Sequence, residues 1–525
     1  MSRQLEITET SSTISNNNDN KNKLLGTVYG IGMNVNDIIG AGIFTTPGIV
    51  WKQVKSPYVV IVLWIIGGIV SLCGSLVYSE FGIIHQDSGG ETIYLAKSFP
   101  RPKMLASYLF SFMFIFIIRP GIICAVLQSA AQYAWYTFEG KSPPIDSSLN
   151  GWNNEFKPYW ILKFISVALL LLITGYHILS NKWANRINQS LAMIKMIIII
   201  IIALSGMSKY RNTHNWKQTL ENPDTKFSVL TPYSVAIVEV FFSYNGWNNL
   251  NYSLDEFRNP EKKLRLSNTY SVGIVSLLYL MVNIAFITAV PPQLVIGTDT
   301  EDFNETIAAD FFFIIFNSET ASKILSFFVV LSAIGTAATS IWSGSRVIVS
   351  AAKSNFFPIF SDELQYWHDT FDTPVNALCT QFVWCAFLIL IISSSVASDV
   401  FLLFTSIAIF SSWIFYIITG IGLLVLRKRQ DDKPKISLTI INYLFIISGF
   451  GIIVLSFLFI PRPNLSYFNN ISFILITFTA LIVGILLWIL LFYRPHLKEK
   501  SRRRWTNEIS TQVKIQIAAT LAESK

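Results

Sequence analysis

The side chains of this chain that could do chemistry are sparse, and they form no catalytic or metal-binding group. His85, His177, His214, His368 and His496 stand apart from one another, and Cys73, Cys124, Cys379 and Cys385 fall inside apolar segments, where they read as small buried hydrophobes. No histidine–carboxylate pair, nucleophile elbow or metal cluster supports an enzyme, so neither a cofactor nor a metal is expected. What remains is main-chain chemistry. Ile38-Ile39-Gly40-Ala41-Gly42-Ile43-Phe44 places two glycines in the middle of the apolar stretch 24–51. Glycine weakens a helix, and hydrocarbon tolerates unwound backbone only where it lines a cavity or is buried in protein. A break there makes two half-helices, one ending in free carbonyls and the other starting with free N–H groups and a positive dipole. Those poles suit the ammonium and the carboxylate of an α-amino acid. The alternative is a packing motif, in which small residues let membrane helices approach closely.

A second interruption, Phe241-Phe242-Ser243-Tyr244-Asn245-Gly246-Trp247-Asn248-Asn249, sets polar residues and a glycine inside the sixth apolar segment. Paired interruptions at corresponding positions of two halves point to a transporter site; a polar helix–helix contact is the plainer reading. Lys195, in Met193-Ile194-Lys195-Met196-Ile197, lies about 13 Å past Arg186 at the usual helical rise. A cation that deep is costly unless it faces a cavity or a partner, and it is either a fixed internal charge, a proton carrier or a side chain snorkelling to the interface. Arg119, before Pro120, is a similar deep charge at an expected proline kink.

The elements that must position these residues follow from composition. Of 525 residues 52% are hydrophobic and only 14% charged, which predicts an all-α polytopic membrane protein. Apolar runs predict about twelve transmembrane helices: the first over 24–51, then 57–83, 103–137, 158–178, 186–206, 229–254, 266–290, 319–351, 375–394, 397–426, 438–460 and 469–493. The transporter domain is expected over 23–495, as repeat one (23–206), repeat two (229–426) and two extra C-terminal helices (438–493). Helices 1 and 6 are discontinuous, and the second five-helix half starts on the opposite face, so the halves are inverted. Residues 1–22 read as a disordered tail with no cleavable signal peptide, and 496–525 as a second tail.

Basic residues set the orientation. Lys97, Arg101, Lys103, Lys182, Arg186, Arg258, Lys262, Lys263, Arg265, Arg427, Lys428, Arg429, Lys433 and Lys435 fall in loops on one side, whereas Asp299, Glu301, Asp302 and Glu305 lie opposite. Both termini are therefore expected in the cytoplasm, with sequons at Asn304, Asn464 and Asn470 outside. The net charge of +8 sits largely in those loops and the last tail, and implies no nucleic-acid partner.

With these residues in hand, the chain resembles the amino acid–polyamine–organocation superfamily, within it the L-type amino acid transporter branch, and more narrowly the fungal methionine-permease-like group. The resemblance rests on Ile38 to Phe44, Ser88-Gly89-Gly90-Glu91 with Tyr94, Arg119-Pro120, Arg186 with Lys195, Tyr244 to Asn251 followed by Asn259-Pro260, Ser345-Arg346 and Leu426-Arg427, in this order and spacing. It implies the LeuT-type 5+5 inverted-repeat fold and carriage of neutral L-amino acids, methionine or other large apolar ones, without chemical modification. The residues it marks as substrate-binding are Ile38, Ile39, Gly40, Ala41, Gly42, Phe242, Ser243, Tyr244, Asn245, Gly246, Trp247, Asn248, Asn249 and Ser412. On the family pattern the N–H groups around Ala41 and Gly42 receive the carboxylate, and carbonyls near Ile38, Phe242 and Asn245 the ammonium. Phe242 matches an outward-gating aromatic, and Lys195, the coupling residue, matches a lysine that stands in place of a sodium site.

Two positions depart from the family pattern: Asn245 stands where glycine is usual, and Ala41 where serine or threonine is common. Residues 139–157 contain no cysteine, so the disulfide-linked heavy chain of animal L-type carriers is not expected. The expected partners are a neutral L-amino acid, protons if the carrier is a symporter, and the lipid bilayer, with the plasma membrane as the expected location. Proton symport and amino acid exchange both remain open. A membrane amino acid sensor that binds without transporting is the reading from another class, weakened by the short tails.

Overall fold

The structure is a computed structural model that describes residues 26–102, 104–140, 156–207, 214–217, 231–257, 259–296, 307–392, 397–429, 437–457, 472–493 and 495. Apolar stretches too long to pack as strands become helices, because a chain in hydrocarbon must satisfy its own N–H and C=O groups. They are α1 (Thr27–Ile38), α2 (Gly42–Val54), α3 (Pro57–Ile84), α4 (Glu91–Ser98), α5 (Leu105–Glu139), α6 (Phe156–Leu179), α7 (Asn181–Met207), α8 (Thr231–Ser243), α9 (Pro260–Ala289), α10 (Ile307–Phe316), α11 (Glu319–Lys353), α12 (Val375–Ile391), α13 (Ala397–Arg429), α14 (Thr439–Phe457) and α15 (Ser472–Trp488). Among the described residues nine helices are long and apolar enough to cross a membrane, and Val375–Ile391 is a shorter apolar helix. The first and sixth of the expected spans are interrupted, so the chain is an all-α polytopic membrane protein with discontinuous helices at both places.

The early spans pack on later ones. α2 lies against α8, α3 against α9 and α5 against α11, each the element five spans further along. α14 and α15 are the least buried of the spanning helices and sit at the periphery. The expected kink at Pro120 is a five-residue π-helical turn, Phe114–Ile118, just before it. Proline has no N–H to give to the carbonyl four residues back. That carbonyl, of Phe116, instead accepts from the Trp384 indole of α12 at 2.9 Å.

Polar contacts gather the basic loops on one face. Arg427 holds Glu80 through two hydrogen bonds of 2.8 and 2.7 Å, Arg346 pairs with Glu256 at 2.9 Å, and Arg429 donates to the carbonyl of Ser98. Cys379 is exposed on α12, unlike the buried Cys124 and Cys385, because its helix turns that side outward. No group of metal-ligating side chains occurs among the described residues. The expected tails, the three sequons, the acidic loop, most of the cysteine-free loop 139–157, and Lys103, Arg258, Lys433 and Lys435 lie outside the described residues.

Candidate functional site

The first break opens over Ile39, Gly40 and Ala41. The last bond of α1 runs from Ile39 N–H to the carbonyl of Val35 (2.9 Å), and α2 begins with Phe44 and Thr45 N–H on the carbonyl of Ala41 (3.1 and 3.0 Å). Among the described residues the N–H groups of Gly40, Ala41, Gly42 and Ile43 take no backbone acceptor. These are the free donors of a helix start, with the positive dipole end behind them. The freed carbonyls are held by side chains. Lys195, fully buried on α7, donates to the carbonyls of Asn36 (2.7 Å) and Ile39 (2.5 Å) and to Thr336 Oγ1 (3.2 Å). Burial with all three N–H bonds taken rules out snorkelling.

The second break follows Ser243. Tyr244 and Asn245 close a turn onto Val240 and Phe242, and Gly246 has φ +106°, a conformation that favours glycine. No second α-helix follows; the far half of the expected span 229–254 is two short 3-10 turns, Asn249–Tyr252 and Leu254–Glu256. Asparagines supply the missing bonds. Asn34 accepts from Leu250 N–H (3.3 Å) and donates to Asn268 (2.8 Å), and Asn251 donates to the carbonyl of Tyr78 (2.8 Å). An irregular backbone buried in protein with such partners is tolerated at membrane depth.

The two breaks touch. A Cβ on Gly42 would stand 2.8 Å from the Cα of Ser243, and one on Gly246 would stand 2.7 Å from Asp37 Oδ2. The Tyr279 hydroxyl of α9 lies 2.7 Å from the carbonyl of Ile38 and 3.0 Å from that of Ser243, the last residues of α1 and α8. Between the breaks is a cavity lined by Asp37, Ile38, Gly40, Ala41, Gly42, Ile122, Val126, Phe242, Asn245 and Thr336. A neighbouring cavity shares Ile122 and Asn245 and adds Glu91, Phe110, Phe114, Ile118, Arg119, Asn248, Tyr252, Ser412 and Tyr416. Each has room for about one water molecule, so the site is closed and must widen to admit an amino acid.

The candidate residues therefore divide. Ile38, Gly40, Ala41, Gly42, Phe242, Asn245, Asn248 and Ser412 line the cavities. Ile39 faces Lys195, Ser243 bonds Thr46 Oγ1 at 2.7 Å, and Gly246 forms the wall beside Asp37. Tyr244, Trp247 and Asn249 line neither cavity. Tyr244 donates to the carbonyl of Trp64, Trp247 packs among Tyr78, Tyr416 and Phe445, and the Asn249 amide is buried without a hydrogen-bond partner among the described residues.

Sequence reasoning left two carboxylates out of the site, although Glu91 stands in one of the motifs that carry the resemblance. Asp37 is buried, accepts from Thr339 and Ser340 (2.9 Å each) and stands 3.8 Å from Arg119. Its signal was a charge one residue before the glycine-containing heptad. Glu91, at the start of α4, accepts at Oε1 from Tyr78 (2.8 Å), Tyr252 (3.2 Å) and Asn248 (3.3 Å). Burial pushes its carboxyl up to about 7, against the pull of those donors. Arg119 lies over the Phe114 and Tyr252 rings, its guanidinium 4.8 and 5.4 Å from their centroids.

A polytopic helical protein whose two interrupted spans meet over a closed cavity of free main-chain poles is built as a membrane transporter rather than an enzyme. The profile of the family described as "Amino acid permease" matches residues 25–486, and the chain belongs to that family, within the amino acid–polyamine–organocation superfamily and its L-type branch. It is similar to the mouse "b(0,+)-type amino acid transporter 1", 27% identical over 462 residues that cover 86% of each chain, and the human protein of that name gives the same figures. It is also similar to the mouse "Large neutral amino acids transporter small subunit 2", 27% identical over 422 residues that cover 79% of this chain and 72% of that one. Its activity is amino acid transport across a membrane.

Proposed function

We propose that the chain is a secondary active carrier of neutral L-amino acids, with methionine and other large apolar ones as first candidates, working by alternating access in an inverted-repeat bundle. The observation that carries the reading is the contact of the two breaks, with Tyr279 bonded to the end of both half-helices. Free N–H groups at Gly40 to Ile43 would receive the carboxylate. The carbonyls of Ile38, Phe242 and Asn245 would receive the ammonium, and Phe242 would close over the site from outside. Phe110, Phe114, Ile118 and Ile122 give the second cavity apolar walls that suit an apolar side chain. Lys195 would act as a fixed internal cation that links the first break to α7 and α11, where relatives of other coupling types bind an ion.

On this reading the basic loops and both termini face the cytoplasm, and the carrier sits in the plasma membrane. The kinship with the fungal methionine-permease-like group and the absence of a disulfide-linked heavy chain belong to the same proposal; the mouse relative called "small subunit 2" is named as part of an assembly. Uptake of labelled methionine into vesicles, with and without an imposed pH gradient, tests the reading. A rate indifferent to the gradient but dependent on internal amino acid would leave exchange alone. Binding without flux would make the protein a sensor.

A further inference from the structure

Lys195, Glu80 and Asp37 each have a hydrogen-bonding or oppositely charged partner at every charged atom. Lys195 has three acceptors and Arg427 spans both oxygens of Glu80; Asp37 accepts two hydroxyls at Oδ1, while its Oδ2 takes no hydrogen bond and faces the Arg119 guanidinium at 3.8 Å as an ion pair. Glu91 differs. All three of its side-chain donors, Tyr78, Tyr252 and Asn248, converge on Oε1, while Oε2 is buried without a hydrogen-bond partner among the described residues. Glu91 lines the cavity that shares Asn245 and Ile122 with the substrate cavity. A proton on Oε2 would break none of the bonds to Oε1.

From this arrangement we infer that Glu91 is the proton-binding site of the carrier, loaded and unloaded once per amino acid moved. The inference rests on the transport reading above. The proton is taken from water on the side of higher acidity, bonds to Oε2, and returns to water on the other side, so one positive charge crosses with each neutral amino acid. Gln86 and Asp87, four or five residues upstream, are exposed on the basic-loop face and give a short way out. The titratable and charged groups that face Glu91 are Tyr78 from α3, Tyr94 from its own α4, Arg119 from α5, Tyr252 from the 3-10 segment and Tyr416 from α13. The Tyr78 and Tyr252 phenols and the Asn248 amide hold the carboxylate in place, and burial raises its carboxyl to about 7. Asn248 ties Glu91 to the second break, and Arg119 pairs with Asp37 at 3.8 Å and acts on Glu91 through its charge. Protonated Glu91 leaves Arg119 to Asp37, and ionised Glu91 competes for it, so the proton biases the break that holds the amino acid.

The test uses the full chain in proteoliposomes containing a pH-sensitive dye, with the labelled amino acid that gives the highest wild-type uptake among the standard ones. Wild type should acidify the interior as substrate enters, and an inward acid gradient of one pH unit should raise accumulation up to about tenfold for one proton per molecule. Glu91→Gln should lose the acidification and the gradient stimulation while exchange of internal for external substrate persists. Glu91→Asp should regain acidification with a shifted pH midpoint. Acidification by Glu91→Gln equal to wild type overturns the inference, as does an unshifted pH profile in Glu91→Asp should Glu91→Gln be inactive. Wild-type uptake without acidification overturns it too, yet leaves the transport reading standing. Loss in Glu91→Gln of lysine or arginine uptake alone, with proton movement intact, overturns it in favour of a side-chain contact. Absence of any wild-type flux removes the transport reading and this inference together.

Discussion

The hydroxyl of Tyr279 stands 2.7 Å from the carbonyl oxygen of Ile38, the residue at which α1 stops. The same hydroxyl reaches the carbonyl of Ser243 at 3.0 Å, so one side chain of α9 fastens the ends of both half-helices. Tyr279→Phe removes that fastening and leaves two buried carbonyls short of a donor, a cost of about 1–3 kcal/mol. A lower melting temperature and a KM for uptake raised about tenfold are expected. Equal melting and equal KM would mean that the hydroxyl only fills space.

Gly42 tests the contact from the other side. Its missing Cβ would meet the Ser243 backbone at 2.8 Å, and backbone cannot swing away as a side chain can. Gly42→Ala should cut uptake per molecule at least about tenfold by forcing the breaks apart. Gly273→Ala on α9 is the control, because nothing lies within 4 Å of that added methyl. It should leave uptake unchanged and add about 0.4–1 kcal/mol of stability. Equal effects of the two substitutions, read by uptake per molecule and by melting, would contradict the geometry.

Lys195→Met leaves the carbonyls of Asn36 and Ile39 without their cation, yet an apolar side chain costs nothing to insert in a membrane. Normal amounts of membrane protein are expected, with uptake per molecule down about tenfold or more, which is about 1.4 kcal/mol or more of lost site stabilisation. A variant that merely reaches the membrane in smaller amounts, with normal uptake per molecule, would leave Lys195 a structural residue.

Much of this architecture was legible in the sequence, and the reasons are physical. Many span ends agree to within about three residues because a bilayer demands long apolar runs: 319–351 was read and Glu319–Lys353 is observed, whereas 186 and 266 were read for helices that start at Asn181 and Pro260. The breaks were legible because glycine and asparagine do not belong inside a lipid-facing helix. Two features were not. The far half of the sixth span is 3-10 rather than α-helical, and Asn34, distant in sequence, takes up its main-chain groups at Trp247 and Leu250. Gly246 at φ +106° rotates the chain that follows, so Trp247 faces Tyr78 and Tyr416 instead of the cavity. Glu91 lies 157 residues from Asn248, and no local pattern joins them.

Glu91 also fixes a pH dependence of stability. Its carboxyl is raised from 4.5 to about 7 in the folded protein, so the folded state holds the proton more tightly than the unfolded chain does. Below about 4.5 both states are protonated and this contribution is fully present. As pH rises towards 7 the unfolded carboxyl ionises first and the contribution is lost. The melting temperature of wild type relative to Glu91→Gln should therefore fall across that window and level off above it. A constant difference would place the carboxyl at its ordinary value.

The central claim is that bare main-chain poles at the two breaks grip both ends of an α-amino acid. Competition against uptake of labelled methionine by methionine, by its methyl ester and by N-acetylmethionine tests it most directly, since the ester loses the carboxylate and the acetyl group removes the ammonium. The account predicts that unlabelled methionine competes fully while neither derivative competes at the same concentration. Equal competition by either derivative would contradict it.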